Sequence, residues 1–479
     1  MSNSAEHKKR VAVLQDQLRL LNHAGVRGVR IYHGSTNSTR TQRFDKDRSI
    51  DTSTLTHVLE IDPGSNTALV EPGVTMEQLV YETGRRGLVP AVVPEFPNIT
   101  LGGAIAGGAG ESSSYRHGLV HELCESYDVL LGDGALVTAS PSSHTDLFRA
   151  IPGSCGSLGV ITAIRLRLIP ATRYVRLRYL PVASFSEAVA VTEKHWDNVG
   201  VDFIGGLLFA RDRGVIMLGT RCHETGGLPL ARFCRAHDEW FSLHADTISR
   251  AGVIREEVVP LIDYLFRYDR GAFFVGKYAF DRFRVPFNRL TRFILNPIMN
   301  TRTFYQALHE TGTAQEYFVQ DISVPLERTT ALLEHTHEHL GIYPLWLCLL
   351  RTDAVHPFSP TNIGAGRVMN VGIWGPLALA YREFVQVNRV MERLTTRLNG
   401  RKILYAHLYA PEGEFWHSYP KTLYEQLRAV YRAAAFLDFY EKVVVRERYV
   451  STVKAGFLKA IRPRWRLGLR QQKPLRRSR

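Results

Sequence analysis

Apolar and polar residues alternate along several short segments between the N-terminus and Pro170, as they do in strands that are buried on one face only. The segments 57–62 and 67–71 alternate on either side of a turn at 63–66, which predicts an antiparallel hairpin. A second hairpin is predicted over 127–139, and a strand over 160–169. Hairpins of this kind, instead of strict alternation of strand and helix, indicate an α+β fold.

The same kind of pattern restarts beyond Pro170, where the preceding strand ends. Strands are predicted over 173–182, 201–210 and 213–220, and a helix is predicted to begin after Ser184, which has a Glu three residues later. This restart indicates a second α+β unit.

The length of the chain agrees with two units. A single hydrophobic core stops growing at about 250 to 300 residues, so a chain of 479 residues is expected to form two domains. We predict a first domain at 1–172, a second at 173–460 and a basic tail at 461–479.

The composition is that of an ordinary globular protein. Hydrophobic residues make up 45% and charged residues 22% of the chain, which excludes a disordered chain, a collagen-like rod and a small disulfide-stabilised domain. The cysteines are odd in number, widely spaced and free of CxxC pairs, so we predict neither a disulfide framework nor a metal site. They are Cys124, Cys155, Cys222, Cys234 and Cys348.

The net charge of +14 comes largely from the end of the chain, where 462–479 holds eight basic residues and no acid. A nucleic-acid-binding surface is therefore not expected. Such a block usually forms a solvated tail, and the other interpretation is a peripheral contact with an anionic membrane surface. No apolar run is long enough to span a membrane, and the N-terminus lacks the apolar block of a signal peptide. We expect a cytoplasmic protein that is at most peripheral at a membrane surface.

A segment rich in glycine and serine, 97–118, lies between predicted regular elements. It contains six glycines and three serines. Glycines leave neighbouring backbone N–H groups unobstructed, which suits a phosphate, although an irregular surface loop would have the same composition. Two further polar turns, 34–39 and 153–160, favour the phosphate interpretation, because three such segments could together hold a diphosphate and the rings joined to it.

Two common nucleotide motifs are missing from the sequence. There is no GxxxxGK[ST], so a P-loop kinase or ATPase is unsupported. There is also no GxGxxG between a strand and a helix, so the dinucleotide fingerprint of the Rossmann fold is absent. Any nucleotide cofactor must be bound in another way.

The order of the motifs resembles the FAD-binding domain of the vanillyl-alcohol-oxidase/PCMH flavoproteins. The motifs are GSTNS at 34–38, EPGVT at 71–75, the glycine-rich segment at 97–118 and IPGSCGSLGV at 151–160. Within that superfamily the sequence most resembles the Δ24-sterol reductases, the Diminuto family. That narrower resemblance rests on ESSS after the glycines, on DLFRAIPGSCGSLG, on YPLWLC and on EFW.

The resemblance implies a PCMH-type FAD-binding domain of two subdomains, followed by an α+β substrate or cap domain. FAD would lie between the two subdomains, with its diphosphate on the first turn and the glycine-rich segment and its ring facing the cap domain. The cofactor-binding residues implied by position are Gly34, Ser35, Thr36, Asn37, Ser38, Thr100, Leu101, Gly102, Gly103, Ala104, Gly107, Gly108, Gly110, Glu111, Ser112, Ser113, Gly159, Val160 and Ile161.

Many relatives link the flavin covalently to a His in the first turn. Here Asn37 takes that place by position, so noncovalent FAD is expected. His33, just ahead of the glycine of the turn, stays open as a second anchor, although a lone His is more often an ordinary hydrogen-bonding residue.

If the protein acts like the sterol reductases, NADPH supplies the electrons, and hydride and a proton are added to a carbon–carbon double bond in the side chain of a sterol-like or isoprenoid lipid. Such a site needs an acid and an apolar slot. The candidates for the proton donor are Tyr343, Asp321, Tyr405 and His117. The aromatic candidates for the slot, which would equally suit a core, are Phe266, Phe273, Phe274, Tyr278, Phe280, Trp346, Trp374 and Trp416.

Two other functions fit the same residues. An FAD-dependent oxidase or dehydrogenase of an alcohol or sugar carbon belongs to the same superfamily and would be reduced by an alcohol instead of NADPH. A flavoprotein scaffold that docks on a membrane without turnover is the third possibility. Eukaryotic sterol reductases of this type carry an N-terminal membrane anchor, whereas this sequence begins almost directly with the flavin domain. We expect either that a lipid substrate is reached from the membrane surface, with the basic tail as an attachment, or that the substrate is not a sterol but an isoprenoid or another specialised metabolite.

Overall fold

A computed structural model describes residues 3–34, 37–40, 45–364 and 366–449. Ser35, Thr36 and the basic tail at 461–479 lie outside the described residues. Helices and strands are both abundant, and the α+β prediction is confirmed. No described helix combines the length and the apolar character that a bilayer crossing requires.

The N-terminal part of the protein, up to Pro170, forms a small antiparallel sheet with helices around it. Its order is β3-β4-β8-β6-β7, while β1 pairs in parallel with β2, and β5 pairs with β9. The strands are β1 Arg30–Tyr32, β2 Ser49–Asp51, β3 Val58–Asp62, β4 Thr67–Val70, β5 Leu88–Val89, β6 Cys124–Leu130, β7 Leu136–Ala139, β8 Val160–Arg167 and β9 Ile169–Pro170. The helices are α1 Asn3–His23, α2 Met76–Gly84, α3 Leu101–Gly107, α4 Ser114–His117 and α5 Thr145–Ala150.

Both predicted hairpins are present, as β3–β4 and β6–β7. The glycine-rich segment differs from the expectation, because part of it folds into the short helix α3 instead of an open loop. The Thr100 side chain caps this helix by accepting a hydrogen bond from the Gly103 amide, 3.3 Å away. A Cβ on Gly102 would lie 2.5 Å from Cβ of Pro72, so the glycine lets α3 pack closely on the preceding segment.

The rest of the protein builds one larger antiparallel sheet in the order β13-β10-β12-β11-β15-β16-β14-β17. Its strands are β10 Tyr174–Val182, β11 Phe203–Ala210, β12 Arg213–Cys222, β13 Arg255–Pro260, β14 Tyr317–Pro325, β15 Leu345–Arg351, β16 Arg367–Pro376 and β17 Arg401–Lys402. The helices are α6 Phe185–Lys194, α7 Phe241–Ala251, α8 Leu261–Leu265, α9 Gly276–Arg282, α10 Arg289–Leu295, α11 Thr301–Thr311, α12 Thr329–His339, α13 Tyr381–Arg397, α14 Glu412–His417, α15 Lys421–Val430 and α16 Phe439–Val443.

The segment after β17 returns to the N-terminal part. The Val29 amide donates to the carbonyl of Ala435 at 2.8 Å, and the Thr39 amide donates to the carbonyl of Tyr405 at 3.0 Å. Phe436 and other buried apolar side chains of this segment belong to the same core cluster as Val29 and the helices of the N-terminal part. The two ends of the described structure therefore meet beside the predicted cofactor turn.

Candidate functional site

A cavity of about 580 Å³ lies between the N-terminal part and the larger sheet. One wall is formed by the first turn, α3 and the start of β8. The larger sheet and its neighbours contribute α11, β14, β15 and β16, and the segment that follows β17 contributes residues 403–405 and Lys442. A cavity enclosed by elements so far apart in the sequence depends on the complete fold.

Most of the predicted cofactor residues line this cavity. Those on its wall are Gly34, Asn37, Ser38, Thr100, Gly102, Gly103, Ala104, Gly107, Gly110, Gly159, Val160 and Ile161. The described residues of the prediction that do not line it are Leu101, Gly108, Glu111, Ser112 and Ser113.

The residues off the wall have structural partners of their own. A Cβ on Gly108 would meet Cδ of Pro360 at 2.5 Å. The Ser112 hydroxyl donates to Oε2 of the buried Glu111 at 2.7 Å, and the Ser113 amide donates to Oε1 of the same carboxylate at 3.0 Å. ESSS, one of the motifs that supports the family resemblance, thus forms a hydrogen-bonded turn behind the cavity.

Two cations on the cavity wall, Arg40 and Lys442, were not among the predicted residues. Burial lowers the pKa of Lys442 to about 8, with Cys155 acting in the opposite direction and Arg30 and Arg40 adding to the lowering. Burial also lowers the pKa of Arg40. Within the described residues neither cation forms an ion pair with a carboxylate, although the Arg40 guanidinium donates to the carbonyl of Ala406 at 2.6 Å. This side of the cavity is therefore suited to an anion.

Asp321 and Tyr405, two of the candidate acids, are brought together on the wall of the same cavity. The Tyr405 hydroxyl donates to Oδ2 of Asp321 at 2.6 Å, and the Asn370 amide donates to Oδ1 at 3.0 Å. Burial raises the pKa of Asp321 to about 6, while these two hydrogen bonds act to lower it. A buried carboxyl group whose pKa lies near neutrality can exist in both protonation states under ordinary conditions.

The other two candidate acids, Tyr343 and His117, do not line the cavity. The Tyr343 hydroxyl lies 3.0 Å from Nδ1 of His337. Burial and the nearby Arg221 and Arg116 lower the pKa of His117 to about 4, which keeps its ring neutral. Neither side chain is in position to act at this cavity in the described structure.

Glu95 is a further cavity-lining residue that the sequence reasoning missed. Burial raises the pKa of its carboxyl, the neighbouring Arg267 lowers it, and Glu111 raises it further. Its Oε1 atom has no hydrogen-bond partner among the described residues. The available signal was a charged residue between two prolines, Pro94 and Pro97, directly before the glycine-rich segment.

A second, smaller cavity of about 110 Å³ shares Phe96, Tyr305 and Trp374 with the large one. Its other lining residues are mostly apolar and come from α9, α11 and the neighbouring segments. Among the aromatic residues predicted for a substrate slot, Phe273, Trp346 and Trp374 line the large cavity. The remaining five, Phe266, Phe274, Tyr278, Phe280 and Trp416, line neither cavity.

Comparison with known proteins identifies the family. Residues 9–140 match the FAD binding domain family. The Arabidopsis thaliana Delta(24)-sterol reductase is 30% identical over 431 residues, which cover 82% of this chain and 76% of the relative. The human Delta(24)-sterol reductase is 29% identical over 458 residues, covering 92% and 87%, and the Caenorhabditis elegans homolog is 27% identical over 466 residues, covering 91% and 87%.

The chain belongs to the Delta(24)-sterol reductase family. This confirms both the flavoprotein superfamily and the subfamily that the sequence motifs indicated, and it makes the protein an FAD-dependent oxidoreductase.

The large cavity of this family member fits FAD. An FAD molecule carries an anionic diphosphate, and Arg40 and Lys442 provide partly buried positive charge without a described carboxylate to neutralise it. The amides at the start of α3 are already used, since Leu101 donates to Val74 and Gly102 donates to Pro72. The glycines of α3 thus contribute close packing and an unobstructed wall, while the two cations contribute the charge.

Proposed function

We propose that this protein reduces a carbon–carbon double bond in the side chain of a sterol-like or isoprenoid lipid, with NADPH as the electron donor. The observation that carries the proposal is the position of Asp321. Its buried carboxyl group lines the large cavity, which Arg40 and Lys442 also line and which shares three aromatic residues with the apolar second cavity. A proton donor, a cofactor site and an apolar slot therefore adjoin one another.

Arg40 and Lys442 would hold the FAD diphosphate, and the first turn and α3 would form the wall beside it. When bound, FAD supplies the hydride chemistry that connects NADPH with the alkene. Asn37 is occupied, since its side-chain amide donates to the carbonyl of Asn98 at 2.9 Å. An amide is also a poor nucleophile, so the flavin is bound noncovalently in this proposal. Mass spectrometry tests this, because the denatured protein should have the mass of the polypeptide alone and the peptide that contains His33 should carry no flavin.

The alkene gains one hydride and one proton. The hydride originates from NADPH, which becomes NADP⁺, and the protein delivers the proton. An isolated alkene is protonated at its less substituted carbon, while hydride adds to the tertiary carbon. Asp321 in its acid form donates this proton and becomes a carboxylate. Tyr405 and Asn370 donate hydrogen bonds that hold the carboxylate in place until it takes a proton from solvent.

Phe96, Tyr305 and Trp374 would form the apolar slot around the alkene. All three line both cavities, so a lipid in the smaller cavity would reach the larger one past these rings. Apolar walls exclude water and so disfavour the charged carboxylate of Asp321, which favours its acid form.

We also propose that the functional division of the protein follows the sequence pattern, with a flavin domain at 1–172 and a substrate domain at 173–460. The two sheets support this division, because the smaller one uses only strands that end by Pro170 and the larger one only strands after it. Residues 404–449 nevertheless complete the flavin side of the cavity through Lys442.

Anaerobic stopped-flow absorbance tests the proposed function. NADPH should bleach the bound flavin rapidly, and a sterol with a side-chain alkene should then restore its colour and gain two hydrogen atoms, as seen by mass spectrometry. Rapid bleaching by an alcohol, with no response to NADPH, would contradict the proposal and favour the oxidase.

A further inference from the structure

Helix α10 exposes an unusual set of large apolar side chains. Leu290, Phe293 and Ile294 are 66%, 53% and 53% exposed. Their spacing of three and four residues places them on one face of the helix. Single exposed apolar residues are common on protein surfaces, but a cluster of three large ones on a single short helix indicates a contact surface. We call Leu290, Phe293 and Ile294 the α10 face.

The sequence segment that contains the α10 face is strongly basic. Between 276 and 302 the sequence contains a single acidic residue, Asp281. The basic residues in that range are Lys277, Arg282, Arg284, Arg289, Arg292 and Arg302. Arg284 and Arg289 are exposed and form no ion pair with the residues that the structure describes. Arg282 pairs with Glu316, and Glu239 interacts electrostatically with Arg289 and Arg292, so the cations of this region still outnumber the acids that face them. Apolar side chains beside such an excess of exposed cations are complementary to an anionic lipid surface.

The same region leads into the second cavity. Phe283, which lies between α9 and α10, is exposed and also lines that cavity, as does Arg282. Phe304 lines it too and packs in the same apolar cluster as Leu295 of α10. The cavity shares Phe96, Tyr305 and Trp374 with the large one, whose wall includes Asp321.

We infer that the α10 face docks on an anionic lipid bilayer and that the apolar cavity beside it takes up the lipid substrate from there. A second copy of the protein is a poor occupant, because a two-fold contact through this face would oppose the same basic residues on both subunits. The basic tail is also a poor occupant, because its positive charges would repel the basic residues beside the α10 face. The uptake step rests on the proposed function, whereas the docking step does not.

Flotation of the full-length, FAD-loaded protein with lipid vesicles tests the docking step. Phosphatidylcholine vesicles with and without phosphatidylserine are compared. Wild type should float with the anionic vesicles and much less with the neutral ones. The double variant Leu290→Glu/Phe293→Glu should lose about tenfold or more of this binding, and Arg284→Glu/Arg289→Glu should remove the preference for phosphatidylserine.

The matched control is Val199→Glu/Val430→Glu, which places two charges at apolar residues that are 88% and 65% exposed in other parts of the fold. It should float like wild type. Flavin absorbance and thermal melting must be the same for all variants, so that lost binding is not lost folding. Flotation of Leu290→Glu/Phe293→Glu at the wild-type level would overturn the inference and assign binding to another surface, such as the basic tail.

A second measurement tests the uptake step. With sterol embedded in anionic vesicles, KM should rise for Leu290→Glu/Phe293→Glu, while kcat and the rate of flavin bleaching by NADPH should not change. With the same sterol delivered by a cyclodextrin, KM should match wild type. If no sterol is reduced, flotation still decides the docking step. A wild-type dimer that this variant converts to a monomer, without flotation, would overturn the inference by making the α10 face a contact between copies.

Discussion

The hydroxyl of Tyr405 donates a hydrogen bond of 2.6 Å to the carboxyl group of Asp321, across 84 positions of the sequence. Asp321 lies on β14 inside the larger sheet, whereas Tyr405 belongs to the segment that returns to the first turn. The Tyr405 carbonyl accepts a hydrogen bond from the Thr39 amide. One residue therefore connects the candidate acid with the predicted cofactor turn.

Replacing the candidate acid separates two half-reactions. Asp321→Asn keeps the shape of the side chain but removes the transferable proton, so alkene reduction should slow by about 10²–10⁴-fold. Bleaching of the flavin by NADPH should change little, because that step needs no proton from Asp321. Stopped-flow absorbance follows both steps. Tyr343→Phe is the control, since its hydroxyl contacts His337 outside the cavity, and a comparable loss in this control would contradict the assignment.

The pH dependence of alkene reduction follows from the same carboxyl group. Burial raises the pKa of Asp321 to about 6, so its acid form is present below that pH and is lost above it. We expect kcat/KM for the alkene to fall about tenfold per pH unit on the alkaline side of pH 6. A profile of kcat/KM from pH 5 to about 9 checks this. A wild-type profile without this alkaline decline would show that another group supplies the proton.

Lys442 should control the affinity for FAD. The charge-assisted contact of its ammonium with a diphosphate contributes about 1.5–3 kcal/mol, so Lys442→Met should weaken FAD binding by about ten- to a hundredfold. Titration of the apoprotein with FAD, followed by flavin fluorescence, measures the dissociation constant. Lys421→Met is the matched control, since Lys421 pairs with Glu412 on the surface. Equal affinity of Lys442→Met and wild type would place the diphosphate elsewhere.

The affinity for FAD should also depend on pH through Lys442. Burial lowers the pKa of this ammonium to about 8 in the protein without cofactor, and a bound diphosphate would raise it. Above pH 8, Lys442 must therefore take up a proton when FAD binds. The affinity for FAD is full below that pH and declines above it. The decline should be absent in Lys442→Met. A wild-type affinity that stays constant up to about pH 9.5 would contradict this role.

Gly102 should be intolerant of a side chain. A Cβ there would lie 2.5 Å from Cβ of Pro72 and 3.1 Å from its carbonyl oxygen, so α3 would have to move. Gly102→Ala should lower the free energy of unfolding by about 1–3 kcal/mol and weaken FAD binding. Urea titration measures the first effect. Gly84→Ala, where nothing lies within 4 Å of the added Cβ, should not destabilise the protein, and equal stability of the two variants would refute the close packing.

The hairpins could be predicted from the sequence because their information is local. Alternation over 57–71 sets which residues face inward, and the turn composition sets where the backbone reverses, so β3 and β4 fall where they are expected. The helical form of the glycine-rich segment could not be predicted in the same way. Its stability depends on the Thr100 cap and on packing against Pro72, a contact that propensity alone does not reveal.

The candidate site could be predicted in part. Asp321 and Tyr405 were among four candidate acids, but only tertiary structure distinguishes them from Tyr343 and His117. Lys442 had no local signal, because its relation to the first turn exists only after the C-terminal segment has returned to it. Residues that act through long-range proximity escape motif and periodicity reasoning for this reason.

The return of residues 404–449 to the start of the fold has a consequence for synthesis. During translation Tyr405 and Lys442 are added long after Gly34 and Ser38, although all four residues line the large cavity. Full affinity for the flavin is therefore expected only after nearly complete translation, and prematurely terminated products should retain less of the cofactor.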